Sequence, residues 1–227
     1  MIYAIGDLHF DATGDKPMDI FGSNWHRHQE IIIENWLDLV KDEDMVLLPG
    51  DISWALKLED AHKDLLEIEK LPGMKVISKG NHDYWWNSLN KLNNLGLKTI
   101  FFIQNNSFIF NNIGVMGTRG WSSIEFDNLD EHNTKIFNRE LNRLRLSLDS
   151  LRKNVTTKIV MLHYPPFNAD FSPNEFVWLM KDYKVDICIY GHLHGEGHKH
   201  IHEGLIEGIE FHCASSDYID FIPKKIR

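Results

Sequence analysis

Five apolar runs recur along the chain, and each gives way at once to polar residues. Ile2-Tyr3-Ala4-Ile5 leads to Gly6-Asp7-Leu8-His9, and Met45-Val46-Leu47-Leu48 leads to Pro49-Gly50-Asp51. Residues 74–78, with Lys75 inside, lead to Gly80-Asn81-His82-Asp83. Ile159-Val160-Met161-Leu162 leads to His163, and Ile187-Cys188-Ile189-Tyr190 to Gly191-His192-Leu193-His194. Short apolar runs bounded by turn residues read as buried strands. Ligand-type side chains at five strand ends point to one site assembled from five places.

Helical periods fill the gaps. Residues 26–40 carry Ile32, Ile33, Trp36, Leu37 and Val40 at helical spacing. Residues 56–71 repeat the period with charges opposite and stop at Pro72-Gly73, and residues 84–95 stop at Gly96. Strand–helix alternation predicts parallel strands with right-handed crossovers. The pattern then changes. Residues 98–102, 107–110 and 114–117 are short strands between Asn-rich turns and predict hairpins. Residues 126–134 are polar and acidic, and residues 135–151 form a strong helix. Residues 174–183 form another helix, with Ser172 expected as N-cap and Pro173 at its first position. Residues 205–214 and 218–222 read as closing strands, and residues 11–25, without a period, as a surface loop at the site entrance.

Composition narrows the class. The chain has 227 residues, 43% of them hydrophobic, with no repeat or linker, which predicts a single domain over residues 1–227. A net charge of −9 argues against a nucleic-acid polymer as partner. It leaves room for a small anionic substrate, because bound cations reverse the local field. The two cysteines, Cys188 and Cys213, suggest no disulfide framework, which fits a cytoplasmic protein. No apolar run approaches a membrane span. A strand at the very start, with Asp7 directly behind it, argues against a cleaved leader.

The candidate site residues are Asp7, His9, Asp51, Asn81, His82, Asp83, His163, His192 and His194. Oxygen and imidazole donors without a thiolate suit Mn, Fe or Zn. They are too many for one tetrahedral ion and enough for two divalent ions sharing a carboxylate. Two ions about 3.5–4 Å apart can clamp the attacking and leaving oxygens of a displacement at phosphorus.

The ordered set Gly-Asp-x-His, Gly-Asp, Gly-Asn-His-Asp, His and Gly-His-x-His, from Gly6 to His194, resembles the calcineurin-like metallophosphoesterases. The resemblance implies a four-layer α/β/β/α sandwich with mixed sheets and a dimetal site at the C-terminal strand ends. It implies that Asp7, His9 and His194 hold one metal ion, that Asn81, His163 and His192 hold the other, and that Asp51 bridges. A metal-bound hydroxide would attack phosphorus in line, His82 would act as general acid or charge stabiliser, and Asp83 would orient His82. Asn81 would also touch substrate. Protein phosphatases of the family carry an arginine after the second motif, whereas Gly50-Asp51-Ile52-Ser53-Trp54 has none. Purple acid phosphatases place a tyrosine where Trp54 stands. His163-Tyr164-Pro165-Pro166 resembles the His-His-Pro-Pro of cyclic-nucleotide phosphodiesterase relatives. The whole pattern is most similar to an uncharacterised bacterial branch of predicted phosphohydrolases.

These features favour a phosphodiesterase acting on a small, nucleotide-like substrate. The alternatives are a phosphomonoesterase of a small metabolite and a non-catalytic protein-binding scaffold on the same fold. Arg119 is either a surface charge or the phosphate fork missing from the second motif. Trp25, Trp54, Trp85, Trp86 and Trp121 flank the motifs, either as an aromatic rim or as packing under loops. His26, His28, His62 and His132 read as solvated, and the alternating His198, His200 and His202, which on a strand would share one face, as a solvated strand edge in preference to a third metal site.

Overall fold

The computed structural model describes residues 1–12, 14, 16–121 and 130–227. Residues 126–129 of the polar, acidic stretch at 126–134 therefore lie outside the described residues. The first apolar runs form β1 (Ile2–Ala4), β2 (Met45–Leu48) and β3 (Met74–Ser78), and β4 (Ile100–Ile103) follows them. They pair in parallel in the order β1-β2-β3-β4. The chain end, β11 (Lys224–Lys225), adds an antiparallel edge beside β1. The second sheet has the order β5-β6-β7-β8-β10-β9. Here β6 (Ile113–Thr118), β7 (Thr157–Leu162), β8 (Ile187–Tyr190) and β10 (Ile209–Cys213) run parallel. At the edges β5 (Phe108–Phe110) and β9 (Gly204–Ile206) are antiparallel.

β1, β2 and β8 are apolar throughout because both faces are buried. Met45 and Leu47 of β2 point to the other sheet, where they meet a layer containing Val115, Ile159 and Ile189. Val46 and Leu48 point outward, to Ile32 and Trp36 of α1 (His28–Leu39) and to Leu65 and Ile68 of α2 (Leu58–Glu69). On the other side Val160, Cys188 and Phe211 pack on α4 (Glu131–Asp149) and α5 (Glu175–Asp182). The layers run helix, sheet, sheet, helix, as expected. Lys75 is fully buried within β3, and its ammonium donates to the Leu71 and Gly73 carbonyls and to the Thr99 hydroxyl at 2.5, 3.0 and 2.8 Å. Those acceptors are what make a charge tolerable there. Cys188 and Cys213 are buried and unpaired. Among the described residues no helix is long and apolar enough to cross a membrane.

Several local expectations are corrected. Only α3 (Leu89–Asn93) forms within residues 84–95. Asp83 captures the Trp85 indole at 3.0 Å and Trp86 N–H bonds back to the Asp83 carbonyl, so the chain turns before it becomes helical. Residues 98–102 give β4, a parallel neighbour of β3, and the hairpin is β5–β6. Asn174, not Ser172, caps α5, accepting from Phe176 N–H at 3.0 Å, while the Ser172 hydroxyl is held by Asp170. Residues 218–222 are turns. His198 and His200 sit in a 3-10 turn (Gly195–His200), which removes the expected strand edge. The loop at 11–25 is anchored inward by buried Met18 and Trp25. His28 is buried too, its ring against the Trp25 and Leu8 carbonyls at 3.1 Å each, beneath the first motif.

Candidate metal centre

The five polar clusters emerge at the C-terminal ends of β1, β2, β3, β7 and β8. The two sheets meet there: Gly6 N–H donates to the Ala214 carbonyl behind β10 at 2.6 Å. To turn side chains into one space the backbone adopts left-handed conformations at non-glycine residues. Asp7, His9, Asp51 and His192 have φ of 56°, 46°, 53° and 75°. Each costs on the order of 1–3 kcal/mol and persists only where the surroundings over-determine it. Close approach fixes the glycines as well. A Cβ on Gly80 would overlap the Asp51 carboxylate, and one on Gly191 would lie 2.5 Å from Asp7 Oδ2.

Two groups of side-chain donors converge, Asp7 with His9 and His194, and Asp7 with Asp51 and His163. Within each group the ligand atoms lie within 4.8 Å of one another. Asp7 Oδ1 is 3.6 Å from His194 Nε2 and 3.7 Å from His163 Nδ1. Asp51 Oδ2 is 3.8 Å from His9 Nε2 and 3.5 Å from His163 Nε2, so this oxygen stands between the two sets. Asn81 Oδ1 is 2.5 Å from His163 Nε2 and 3.0 Å from His192 Nδ1. The structure thus brings together Asp7, His9, Asp51, Asn81, His163, His192 and His194.

The electrostatics suit cations. Burial pushes the Asp51 carboxyl up, and Asp83 and Asp7 push it further. Burial alone would raise Asp7, but His194, His163 and His9 hold it below the usual carboxylate range. Burial drops His163 to about 3 and depresses His9, leaving neutral imidazoles with lone pairs to offer. His194 goes the other way: burial is outweighed by Asp7 and Asp217, which lift it to about 10. His9 Nδ1 and His194 Nε2 are buried without a hydrogen-bond partner. His194 Nε2 faces Asp7 Oδ1 at 3.6 Å and His9 Nε2 faces Asp51 Oδ2 at 3.8 Å, an arrangement that suits a divalent ion once His194 gives up its proton.

His82 places its ring beside this group, 5.8 Å from the His9 ring and 4.5 Å from the Trp54 ring, while its N–H holds Asp51 Oδ1 at 2.8 Å. Asp83 does not touch the His82 ring. It is fully buried, and its carboxylate accepts from the N–H groups of Asp51 (2.9 Å), Ile52 (2.9 Å) and Gly80 (2.7 Å). Its geometry clamps the second and third motifs together instead of orienting an imidazole. Arg119 is no free phosphate fork: it faces the buried Glu140 at 3.6 Å and lies 4.8 Å over the Trp121 ring.

Asp217 was missed. Its Oδ1 accepts from His194 Nδ1 at 2.7 Å, its Oδ2 from Gly195 N–H at 3.0 Å, and His198 Nε2 stands 3.2 Å away. It lies in a turn far along the chain from any motif, so no spacing rule reaches it. Trp54 stacks on His9 at 4.7 Å, and Trp25 meets the His194 ring edge-on at 5.4 Å. With Met18 they wall a cleft of about 370 Å3 that includes His82 and His194. Trp85 and Trp86 pack under the third motif, as the packing alternative has it.

Residues 1–196 match the family described as calcineurin-like phosphoesterase. An uncharacterised protein of Methanocaldococcus jannaschii is 32% identical over 87 residues, 36% of this chain and 46% of that protein, so the alignment spans about half of that relative. A protein of unknown function from Aquifex aeolicus superposes with a TM-score of 0.51 at 17% identity, over 99% of this chain and 94% of that one. GAP50, the anchor in the inner membrane complex of Plasmodium, gives 0.51 at 19% identity, over 95% and 71%. A Thermus thermophilus protein gives 0.50 at 17%, over 85% and 81%. At these identities the structures share the fold alone.

Proposed function

Because the chain belongs to the calcineurin-like phosphoesterase family, we propose that it hydrolyses a small phosphodiester with two divalent metal ions. The observation that carries this reading is the pair of donor groups sharing Asp7, with an Asp51 oxygen standing between them. Asp7, His9 and His194 would hold one ion, Asn81, His163 and His192 the other, and Asp51 both. When bound there, such ions acidify water and draw charge from phosphoryl oxygens. Mn, Fe and Zn all suit the donor set.

The protein's own groups supply the rest. Asp83 holds the Gly80 turn against the Asp51 loop and so fixes both donors. Asp217 fixes the tautomer and direction of the His194 ring. His82, half-buried at the cleft wall, would give a proton to the leaving oxygen. The cleft of Trp25, Trp54 and Met18 offers an apolar, flat-walled space for a second esterifying group, which supports a diester over a monoester. The fold also serves an anchor protein in Plasmodium, so fold does not decide against a non-catalytic scaffold. The filled donor set supports the hydrolase, since a scaffold has no use for His9 and His163 held neutral around buried carboxylates.

The test is hydrolysis of bis-p-nitrophenyl phosphate against p-nitrophenyl phosphate by metal-stripped chain restored with Mn²⁺, Fe²⁺ or Zn²⁺. The expected result is activity only with a cation, and greater on the diester. Greater activity on the monoester would turn the reading to phosphorylated metabolites. Two bound ions with no turnover of any phosphoester would restore the scaffold. Asp217→Asn should weaken cation affinity by about 10–100-fold, the usual effect of losing a carboxylate behind a ligating imidazole. Metal titration reads this directly, and unchanged affinity would show that Asp217 only packs.

A further inference from the structure

We infer that a cationic cavity beside the metal centre holds a second phosphate of the substrate, distinct from the scissile one. The inference rests on the hydrolase reading above and narrows its substrate to a diester carrying a further phosphate group. The cavity, about 340 Å3, lies where β3, β4 and β6 end. Lys79 follows β3, Gln104 follows β4, Arg119 follows β6, and Arg143 comes from α4. It adjoins the candidate metal centre through the backbone: Lys79 stands just before Gly80-Asn81, and His163 N–H donates to the Arg119 carbonyl at 3.0 Å.

Its charge is unbalanced. The lining holds three cations, Lys79, Arg119 and Arg143, and one carboxylate, Glu140. Glu140 is fully buried and already engaged. Its Oε2 accepts the Thr118 hydroxyl at 2.8 Å, and its Oε1 lies 2.8 Å from Arg143, 3.4 Å from Arg139 and 3.6 Å from Arg119. Among the described residues Lys79 has neither a hydrogen bond nor an ion pair, although it is half-buried. Arg119 Nε is buried with no partner. On a chain of net charge −9, a concave surplus of positive charge with unmet donors is an anion site. A phosphate offers several oxygens to such donors at once. The Trp86 indole fixes the Gln104 amide at 2.8 Å, and Asn87 adds a further polar group to the wall.

The experiment has two arms. The Mn²⁺-loaded full chain is given the p-nitrophenyl ester of thymidine 5′-phosphate, with and without a 3′-phosphate. Wild type should show the higher kcat/KM on the 3′-phosphorylated probe, and Lys79→Gln should reduce that preference about tenfold, the worth of one charge-assisted hydrogen bond. Arg143→Gln should act in the same direction. In the second arm inorganic phosphate is titrated into the metal-stripped full chain by calorimetry, where Lys79→Gln should bind about tenfold more weakly. A preference equal in wild type and both variants overturns the inference, and so does phosphate binding that ignores Lys79. Lys79-dependent phosphate binding with no effect on preference identifies a site for free phosphate and also overturns it. Failure of the hydrolase reading looks different: neither probe is cleaved with both ions bound, while the titration still responds to Lys79. Lys79 bonds no described residue, so Lys79→Gln and Lys79→Met should both keep the thermal midpoint.

Discussion

His82→Ala is expected to lower turnover by ~10²–10⁴-fold, the usual contribution of a positioned general acid, while both metal ions stay bound. The geometry separates the two effects. The His82 ring is in neither converging donor group. What His82 gives to the donors is its backbone N–H, which holds Asp51 Oδ1 at 2.8 Å and survives the substitution. The ring instead lines the cleft with Trp54 and His194, and its Nδ1 is buried without a partner. Burial and the neighbouring His192 lower its proton affinity, so the protonated form able to donate is populated only as pH falls, and the loss on His82→Ala should be largest on the acid side of the profile. The size of the loss should depend on the leaving group. p-Nitrophenolate departs without a proton, so its diester should lose least, and an alkyl diester should lose most. An equal loss on both would point to charge stabilisation. Unchanged turnover on the alkyl diester, with two ions present, would remove His82 from the reaction.

What the sequence made legible follows from burial. Strands covered on both faces are apolar at most positions, so β1, β2, β3, β7 and β8 stand out as runs, and the polar residues after them mark the site. Elements set by single side-chain contacts were hidden. The helix expected at 84–95 starts only at Leu89 because Asp83 takes the Trp85 indole and the backbone N–H groups of Asp51, Ile52 and Gly80. β4 looked like one arm of a hairpin because hairpin and crossover strands share the same composition, and only register against β3 separates them. Asp217 and His28 support the donors from turns and helix starts with no periodic signature. The cationic cavity was invisible because Lys79, Arg119 and Arg143 come from elements of both sheets' layers. Arg119, read alone, suggested a fork for the scissile phosphate. Its pairing with Glu140 places it in that other cavity.

Asp51→Asn is expected to have the largest effect on the centre itself, weakening both ions together by more than the ~10–100-fold that loss of a supporting partner brings. The substitution keeps shape, and its amide oxygen can still accept from His82 N–H, where Asp51 Oδ1 does now at 2.8 Å. It removes the charge on the other oxygen, which stands 3.8 Å from His9 Nε2 and 3.5 Å from His163 Nε2. A carboxylate held by burial, Asp83 and Asp7 in a state that disfavours its charge is a cost to the metal-free fold. Its folded-state affinity for the proton is raised, so the metal-free wild type should lose stability as pH rises above the ordinary carboxylate range, until Asp51 has ionised. The amide variant lacks this term and should be at least as stable without metal. With cation the order reverses. A ligand at a hundred times its dissociation constant stabilises the fold by about 2.7 kcal/mol, so Mn²⁺ should raise the melting temperature of wild type and leave that of the variant nearly unmoved. Metal content measured beside the melts decides the assignment: two ions retained at full occupancy in Asp51→Asn would show that Asp51 does not bridge, and that Asp7, common to both donor groups, takes that place.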